Sequence, residues 1–571
     1  MANFYTDNRD LVFTLKNLDL EEAVTMKEEN FRFAKEFENA PVDYADACDN
    51  YDRVLKVVGE ICAERIAPRS RQVDEEGPHF ENGVVTYHPL TVQNLKDLTQ
   101  ADVMGVVLPH RYGGLNFPAT IYTAITEMVS RADASLQNLV GLQDIAETIC
   151  EFGSEEQRQA YLPRFAKGEI DGSMDLTEPD SGSDLQSVRL RAYQDKDGNW
   201  FLNGMKRFIT NGCAKCHLVL ARSEEGTTDG RGLSMFIAEA CPQLVVRRIE
   251  HKLGIHGVAT AELQYNDVPA QLCGQRRRGL TRYVMSLMNG ARVAISAQAL
   301  GIAEAAYFEA RKYASEREQF KKSIDNFPAI YDMLSSMKMK ILASRALLYE
   351  TTRAVDLRNA YNALVEKGEN VTDEIRAKQK YYNKVAAVLT PMCKAQATEV
   401  ANSVAYDTIQ IHGGTGYMKD FNAERFYRDA RITNIYEGTT QLQIVAAIGG
   451  VQQRDNDPRI KELIALVPPA ELAEIKASVV KMYEKHLKEV EFVNGLHDPE
   501  YRDLVARALV ENETYVFVSL LMLRDAAKED DRVVLAKRYI LDAIPEFEKR
   551  YIRIMSGEHS VVADHSAVIN Y

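Results

Sequence analysis

The sequence predicts an α+β protein that is mostly α: an N-terminal helical domain, a central antiparallel β-domain, and a C-terminal helical bundle carrying an appended helical domain. Three observations predict it. Apolar residues recur at helical spacing between about residues 50 and 170, as in Tyr51-Val54-Leu55-Val58 and Ile121-Ala124-Ile125-Met128. Between about 171 and 275 that spacing gives way to short β-rich runs separated by Gly, Asp and Asn. Beyond about 281 long amphipathic stretches return.

In chain order, residues 1–170 form the N-terminal helical domain, with punctuation at Gly77-Pro78 and Tyr112-Gly113-Gly114. Residues 171–280 form the β-domain. Its strands are Trp200-Phe201-Leu202 after the turn Asp197-Gly198-Asn199, then His217 to Ala221, Ser234 to Ile237 and Ala261 to Tyr265. Residues 281–455 form the bundle, with helices expected over Val293 to Tyr313, Ala329 to Leu357 and Ile375 to Asp407, lengths that suit antiparallel packing. Residues 456–571 form the appended helical domain, broken at Val467-Pro468-Pro469. Its apolar run Leu472-Ile475-Val479-Met482 suits either a packed helix or a membrane-surface helix.

A chain of 571 residues exceeds a single ordinary core, and 46% apolar with 27% charged residues describes a packed, soluble protein. The net charge of −14 disfavours nucleic acid or an anionic membrane as main partner. No apolar run approaches the roughly 18 residues that a membrane span needs. The polar start from Met1 to Asp10 has no apolar core of a signal peptide, so a cytoplasmic location is expected. The eight cysteines are scattered and do not form a disulfide framework. Cys213-Ala214-Lys215-Cys216 has metal-pair spacing but no second pair, which leaves zinc two ligands short unless His217 and a distant group help, so no metal is expected. The run Gln275-Arg276-Arg277-Arg278 reads as a solvated loop or as a contact for an anionic ligand.

The segment Asn434-Ile435-Tyr436-Glu437-Gly438-Thr439-Thr440-Gln441 carries the most chemistry. It sets one carboxylate beside a glycine and two hydroxyls just upstream of an apolar helix, so Glu437 is a candidate general base. The alternative is a carboxylate placed at a helix N-terminus for its dipole.

This octet resembles the C-terminal signature of the acyl-CoA dehydrogenases. Further segments follow in that family's order: Leu176-Thr177-Glu178-Pro179 with Ser181-Gly182-Ser183-Asp184, Phe208-Ile209-Thr210-Asn211-Gly212, Arg317-Glu318-Gln319-Phe320, Gln410-Ile411-His412-Gly413-Gly414-Thr415-Gly416-Tyr417, and Arg428-Asp429-Ala430-Arg431. The long lead and the segment beyond about 455 resemble the enlarged members, which carry an extra helical domain. The resemblance implies an FAD-dependent α,β-dehydrogenation of an acyl-CoA thioester, with electrons passed to an electron-transfer flavoprotein. It names Glu437 as the base and implies that its backbone N–H helps to polarise the thioester oxygen. Members with the base elsewhere place it just before the arginine of Met288-Asn289-Gly290-Ala291-Arg292. Here that position is Ala291, which cannot take a proton.

By the same resemblance, Met174, Leu176, Thr177, Phe208 and Thr210 hold the flavin, with Phe208 standing where Trp is common and Met174 where an aromatic is common. Arg317 and Phe320 reach FAD from a neighbouring subunit of a homodimer or homotetramer. Gln410, Gly413 and Gly414 let backbone N–H groups approach its phosphates, and Thr439 and Gln441 complete the contacts. Ser183, Arg292, Tyr436 and Gly438 face the substrate. His256 stands where compact members carry arginine. An acyl-CoA oxidase or an enoyl-CoA reductase on the same fold would share the base and differ in electron flow. A catalytically idle, DNA-associated relative would need a basic C-terminal segment, whereas residues 451 to 571 hold more Asp and Glu than Lys and Arg.

Overall fold

The computed structural model describes residues 1–368 and 371–571. It divides into two compact units, one of residues 1–12, 20–305 and 417–433, the other of residues 13–19, 306–416 and 434–571.

In the first unit, side chains close the ends of the helices. Asp43 caps Tyr44–Ile61, Asp133 caps Ala134–Gly141, and Ser154 with Gln157 forms a reciprocal capping box on Glu155–Ala166. The N-terminal lead is packed rather than loose: Asn8 Nδ2 donates to Glu304 at 2.8 Å, and the buried Glu28 carboxylate takes Asn116 Nδ2 at 2.9 Å and meets His110 Nε2 at 3.2 Å.

The β-domain is a seven-stranded sheet. Its strands are β1 (Gly172–Asp175), β2 (Arg191–Gln194), β3 (Trp200–Thr210), β4 (Cys216–Arg222), β5 (Leu233–Glu239), β6 (Leu244–Ile249) and β7 (Thr260–Cys273). Their order is β1-β4-β2-β3-β7-β5, with β6 on β7, and an added β4–β5 pairing closes the central strands into a ring. Most pairs are antiparallel, as expected, but β1 runs parallel to β4 and β2 touches β4 in parallel at Arg191 and Arg222, so the sheet is mixed. The cause lies in the connections: two loops, a hairpin and the length of β3 separate β1 from β4, which is chain enough for a crossover. Both faces of β4 and β5 are buried. Val219, Ala221, Phe236 and Ala238 fill the ring, while Leu218, Leu220, Met235 and Ile237 pack on Ile145, Leu162 and Phe165 of the helices. Burial on both faces is why these strands read as continuous apolar runs.

In the second unit, Pro328–Lys367 and Asp373–His412 are helices of 40 residues each, longer at both ends than the spacing suggests. Thr440–Gln453 packs its Ile444, Ala447 and Val451 against Val388 and Met392 on one side and Val505, Leu509 and Val510 of Pro499–Ala526 on the other. The appended helices thus complete a core that begins in the bundle. Leu472, Val479 and Met482 are buried in that domain, so the stripe that suited a membrane surface is a packing face. Among the described residues no helix is long and apolar enough to cross a membrane.

Candidate active site

The first unit builds a platform from the ends of β1 and β3. Lys206 is fully buried on β3, and its ammonium donates to Leu176 O at 2.8 Å and Glu178 Oε1 at 3.0 Å. Glu178 also takes the N–H groups of Arg189 and Leu190 at 2.8 and 2.9 Å, and Arg207 N donates to Thr177 O at 2.9 Å. These bonds fasten the Leu176–Glu178 turn to β3. The register of β3 against β7 slips between Lys206 and Ile209, and within the slip Phe208 adopts φ 61° with 51% of its surface exposed. A bulge re-aims one side chain out of a sheet. Here it presents a flat aromatic ring, with the Arg207 guanidinium 4.7 Å from its centroid.

Thr210 ends β3, where its carbonyl lies 3.4 Å from Ser173 Oγ of β1. Thr177, Phe208 and Thr210 are therefore brought together. Met174 is half-buried beside them on β1, but the Leu176 side chain is in the core and its carbonyl is taken by Lys206, so neither of these two groups is open to a cofactor. Ser183 is exposed in the loop beyond the Glu178–Ser181 bridge. Arg292 is buried on the helix Met285–Glu316, directly after Ala291, and donates to Asn289 Oδ1 at 3.1 Å.

Under the platform sits a buried polar knot. His217 Nδ1 lies 2.9 Å from Asp175 Oδ2 and its Nε2 2.9 Å from Ala214 O, while the Tyr265 and Ser173 hydroxyls donate to the same carboxylate. Burial opposes ionisation of both groups, yet each outweighs it for the other, holding Asp175 below its ordinary value and lifting His217 above. Both ring nitrogens of His217 are engaged, and Cys216 is a buried residue of β4, so the Cys213–Cys216 pair cannot recruit His217 as it stands. The run after Gln275 is exposed, with Arg276 paired to Glu224 at 3.0 Å. In the Arg428-Asp429 motif, Arg428 pairs with Asp74 at 2.6 Å and Asp429 accepts from Ile255 N at 2.5 Å. His256 meets the same Asp74 at 3.2 Å, so it takes part in the ion-pair cluster that binds this loop.

The second unit holds the remaining predicted residues in two places. Arg317 precedes a hairpin, Glu318–Gln319 against Lys322–Ser323, whose tip residues Phe320 and Lys321 have φ 50° and 68°. Two left-handed residues at a two-residue loop are ordinarily Asn-Gly. Here the loop presents Phe320 at 90% exposure. One turn earlier, Tyr313 stacks on His412 at 4.2 Å, and its hydroxyl lies 3.1 Å from Thr415 Oγ1. Gln410 is exposed on the last turn of Asp373–His412, and Gly413 ends that helix at φ 61° and ψ −140°, a conformation that only glycine adopts without strain. A Cβ on Gly413 or Gly414 would meet nothing within 4 Å, so these backbone groups lie open to a ligand.

The other place is the loop 434–441. Thr439 caps the helix Thr440–Gln453, accepting from Leu442 N at 3.3 Å, and Gln441 is exposed in its first turn. Tyr436, Glu437 and Gly438 precede the cap and are half-buried, with φ 52° at Glu437 and 87° at Gly438. Glu437 lies outside the first helical turn, so the reading of it as a dipole-favoured helix carboxylate does not describe it.

Three residues that shape this loop were not singled out from the sequence. Lys394 Nζ donates to Gly438 O at 2.7 Å, Gln443 Nε2 donates to the same oxygen at 2.8 Å and to Glu437 O at 3.2 Å, and Glu399 Oε1 accepts from Thr440 Oγ1 at 2.8 Å and Asn434 Nδ2 at 3.3 Å. A signal existed for one of them: Lys394 interrupts the apolar and small residues from Val385 to Ala395.

Four domain models match the chain in succession: the acyl-CoA dehydrogenase N-terminal domain over residues 49–169, the middle domain over 173–268, the C-terminal domain over 278–448, and the model described as acyl-CoA dehydrogenase C terminal over 457–555. The 3-methylmercaptopropionyl-CoA dehydrogenase of Ruegeria pomeroyi is 33% identical over 449 residues, 73% of this chain and 74% of that protein. The chain belongs to the acyl-CoA dehydrogenase family. It is an FAD-dependent oxidoreductase. Among solved structures, one described as the electron transferring flavoprotein of Acidaminococcus fermentans, in a study of flavin-based electron bifurcation, matches with a TM-score of 0.60 at 32% identity, covering 70% of this chain and 96% of its own. An acyl-CoA dehydrogenase complexed with FAD from Bacillus anthracis matches with a TM-score of 0.75, covering 89% of this chain and 88% of its own, and at 24% identity it speaks for the fold alone. Each unit presents groups that suit part of a flavin nucleotide: in the first, an exposed ring at Phe208 for a planar system, and in the second, the open glycine backbone at 413–414, which a ligand can approach closely.

Proposed function

We propose that the chain oxidises an acyl-CoA thioester to the trans-2-enoyl-CoA, with Glu437 as the base and an electron-transfer flavoprotein as acceptor. The observation that supports this most directly is the loop 434–441. Its one carboxylate sits on a left-handed residue between a half-buried Tyr436 and a glycine, in a loop braced from three sides, as a base that must keep one aim requires. FAD, when bound, supplies the acceptor for the β-hydrogen and its electron pair. Thr177, Phe208, Thr210, Gln410, Gly413 and Gly414 would hold it, with Met174, the Leu176 N–H, Thr439 and Gln441. Glu437 takes the α-proton, and its N–H polarises the thioester oxygen as charge develops there. Ser183, Arg292, Tyr436 and Gly438 face the substrate. The working assembly is a homodimer or homotetramer in the cytoplasm, with Arg317 and Phe320 reaching a neighbouring subunit's FAD. Domain boundaries at 170, 280 and 455 complete the proposal.

The test is Glu437→Gln, which keeps volume and removes proton acceptance. It should retain FAD and bind acyl-CoA, yet reduce its flavin at least about a thousandfold more slowly than wild type in stopped flow. Reduction within about tenfold of wild type would remove Glu437 from the role. Assaying a panel of acyl-CoAs anaerobically with an artificial acceptor, and then with oxygen, separates dehydrogenase from oxidase. Enoyl-CoA consumed with a reduced donor would instead mark a reductase.

A further inference from the structure

We infer that Lys394 is a positioning residue for the base, its ammonium holding the Gly438 carbonyl so that Glu437 keeps its left-handed aim. This rests on Glu437 being the base. Burying an ammonium costs free energy that an apolar side chain at the same position would not incur, so a fully buried lysine calls for a use. The use visible here is a short hydrogen bond of 2.7 Å to Gly438 O, one residue past Glu437. Gln443, also fully buried, donates to the same oxygen at 2.8 Å, so both lone pairs of that carbonyl are filled, and it reaches Glu437 O at 3.2 Å as well.

These bonds fix the peptide planes on both sides of Gly438. Outside them, Thr440 N donates to Asn434 O at 3.1 Å, and Glu399 ties the side chains of Asn434 and Thr440 together, closing the loop at its base. The loop is thus pinned at its ends by Glu399 and at its crown by Lys394 and Gln443. Residue 437 stands in a conformation that costs a non-glycine residue strain, which persists only where the surroundings over-determine it. Lys394 and Glu399 lie five positions apart on one helix, Asp373–His412, so a single rigid rod carries both pins.

The test uses the full-length FAD-loaded protein and the member of a saturated acyl-CoA panel, from propionyl- to palmitoyl-CoA, that reduces the wild-type flavin fastest. Lys394→Met should keep FAD content and affinity for the acyl-CoA. It should slow flavin reduction by about thirtyfold, which is about 2 kcal/mol of barrier at about 1.4 kcal/mol per decade. Amide hydrogen exchange in the peptide spanning 434–441 should accelerate about tenfold or more, with the rest of the bundle unchanged. In a Glu437→Gln background the same substitution should add almost nothing to the rate loss, because no base is left to aim. A merely structural lysine would slow both backgrounds alike.

Wild-type rate and exchange in Lys394→Met, with Glu437→Gln inactive, would overturn the positioning role and leave the base in place. An active Glu437→Gln would overturn both. If Lys394→Met does not fold, Gln443→Leu carries the test by removing the other donor, and unchanged exchange and rate there would overturn the inference.

Discussion

Glu350 gives the most quantitative test of how the appended helices are held. It lies buried in the middle of Pro328–Lys367, with Oε1 taking Arg459 Nε at 2.7 Å and Oε2 taking Arg524 NH1 at 2.6 Å. Both arginines belong to the segment beyond 456. Burial works against the carboxylate, but the two guanidiniums outweigh it and draw Glu350 from 4.5 down to about 2. At about 1.36 kcal/mol per unit, that difference corresponds to about 3 kcal/mol at neutral pH. Removing one partner of a buried ion pair costs about 3–5 kcal/mol, and because the arginines keep about a fifth of their side-chain surface exposed, the lower end applies. Glu350→Leu should therefore destabilise the second unit by about 3 kcal/mol at pH 7, read as earlier urea unfolding and faster amide exchange around Arg524. The sign of the pH dependence follows from a depressed carboxyl. The stabilisation is complete above pH 4.5 and fades as pH falls towards 2, so the wild-type advantage should shrink across that window. A loss under about 1 kcal/mol at pH 7, or one that does not vary with acid, would refute the ion-pair reasoning.

The appended domain has a second buried charge system. His486 lies 3.0 Å from Glu489 and 3.3 Å from Glu513; burial disfavours its charge, but the two carboxylates outweigh it and push it up to about 9. A raised histidine stabilises fully below its ordinary 6.5 and loses that stabilisation as pH rises through 9, so the domain should soften over this window, and His486→Gln should abolish the softening in thermal melts. Gly438→Ala places a Cβ 2.7 Å from Gln443 Nε2 on a residue at φ 87°, so it should slow flavin reduction more than about tenfold with FAD retained, and a wild-type rate would count against a rigid loop. Truncation at the Val467-Pro468-Pro469 break strips Val490, Val505, Leu509 and Val510 from Ile444, Ala447 and Val451, so the shortened protein should aggregate or lose assembly order in size-exclusion chromatography; a stable, fully assembled product would refute the supporting role.

The layered plan of the fold was legible because period and punctuation are local properties. Short β-rich runs between Gly, Asp and Asn turns mark β3 and β7, and long amphipathic stretches mark the two 40-residue helices. Strand direction was not legible, because the parallel placement of β1 beside β4 depends on residues far apart in sequence. For the site, glycine and hydroxyl signatures marked the loop 434–441 and the turn at 413–414. The braces were missed because Lys394 shows in the sequence only as one charge in a run of apolar and small residues, and nothing beside it points to a carbonyl 44 positions away. The Cys213–Cys216 pair shows the converse: its spacing is that of a metal pair though no metal was expected there, and the neighbouring His217 ring serves Asp175 across the β1–β4 pairing.

Strain ties these observations together. Several non-glycine residues outside Asn and Asp adopt left-handed backbone, and for some of them a local cause is plain. Arg454 and His497 are helix C-caps, where the chain must reverse. Ile255 is held by the Asp429 carboxylate at 2.5 Å. Phe208 and Glu437 fit neither pattern. Phe208 interrupts a strand and Glu437 sits in the loop between two helices, each at about 1–2 kcal/mol of backbone cost. Each is braced by a fully buried lysine bonded to a nearby carbonyl: Lys206 to Leu176 O beneath the platform and Lys394 to Gly438 O behind the loop. A fold selected for stability alone would relax both bends and replace both lysines with apolar residues. Bend and brace occur together at an aromatic ring in the first unit and at a carboxylate in the second, as the proposed roles of flavin contact and base would each require.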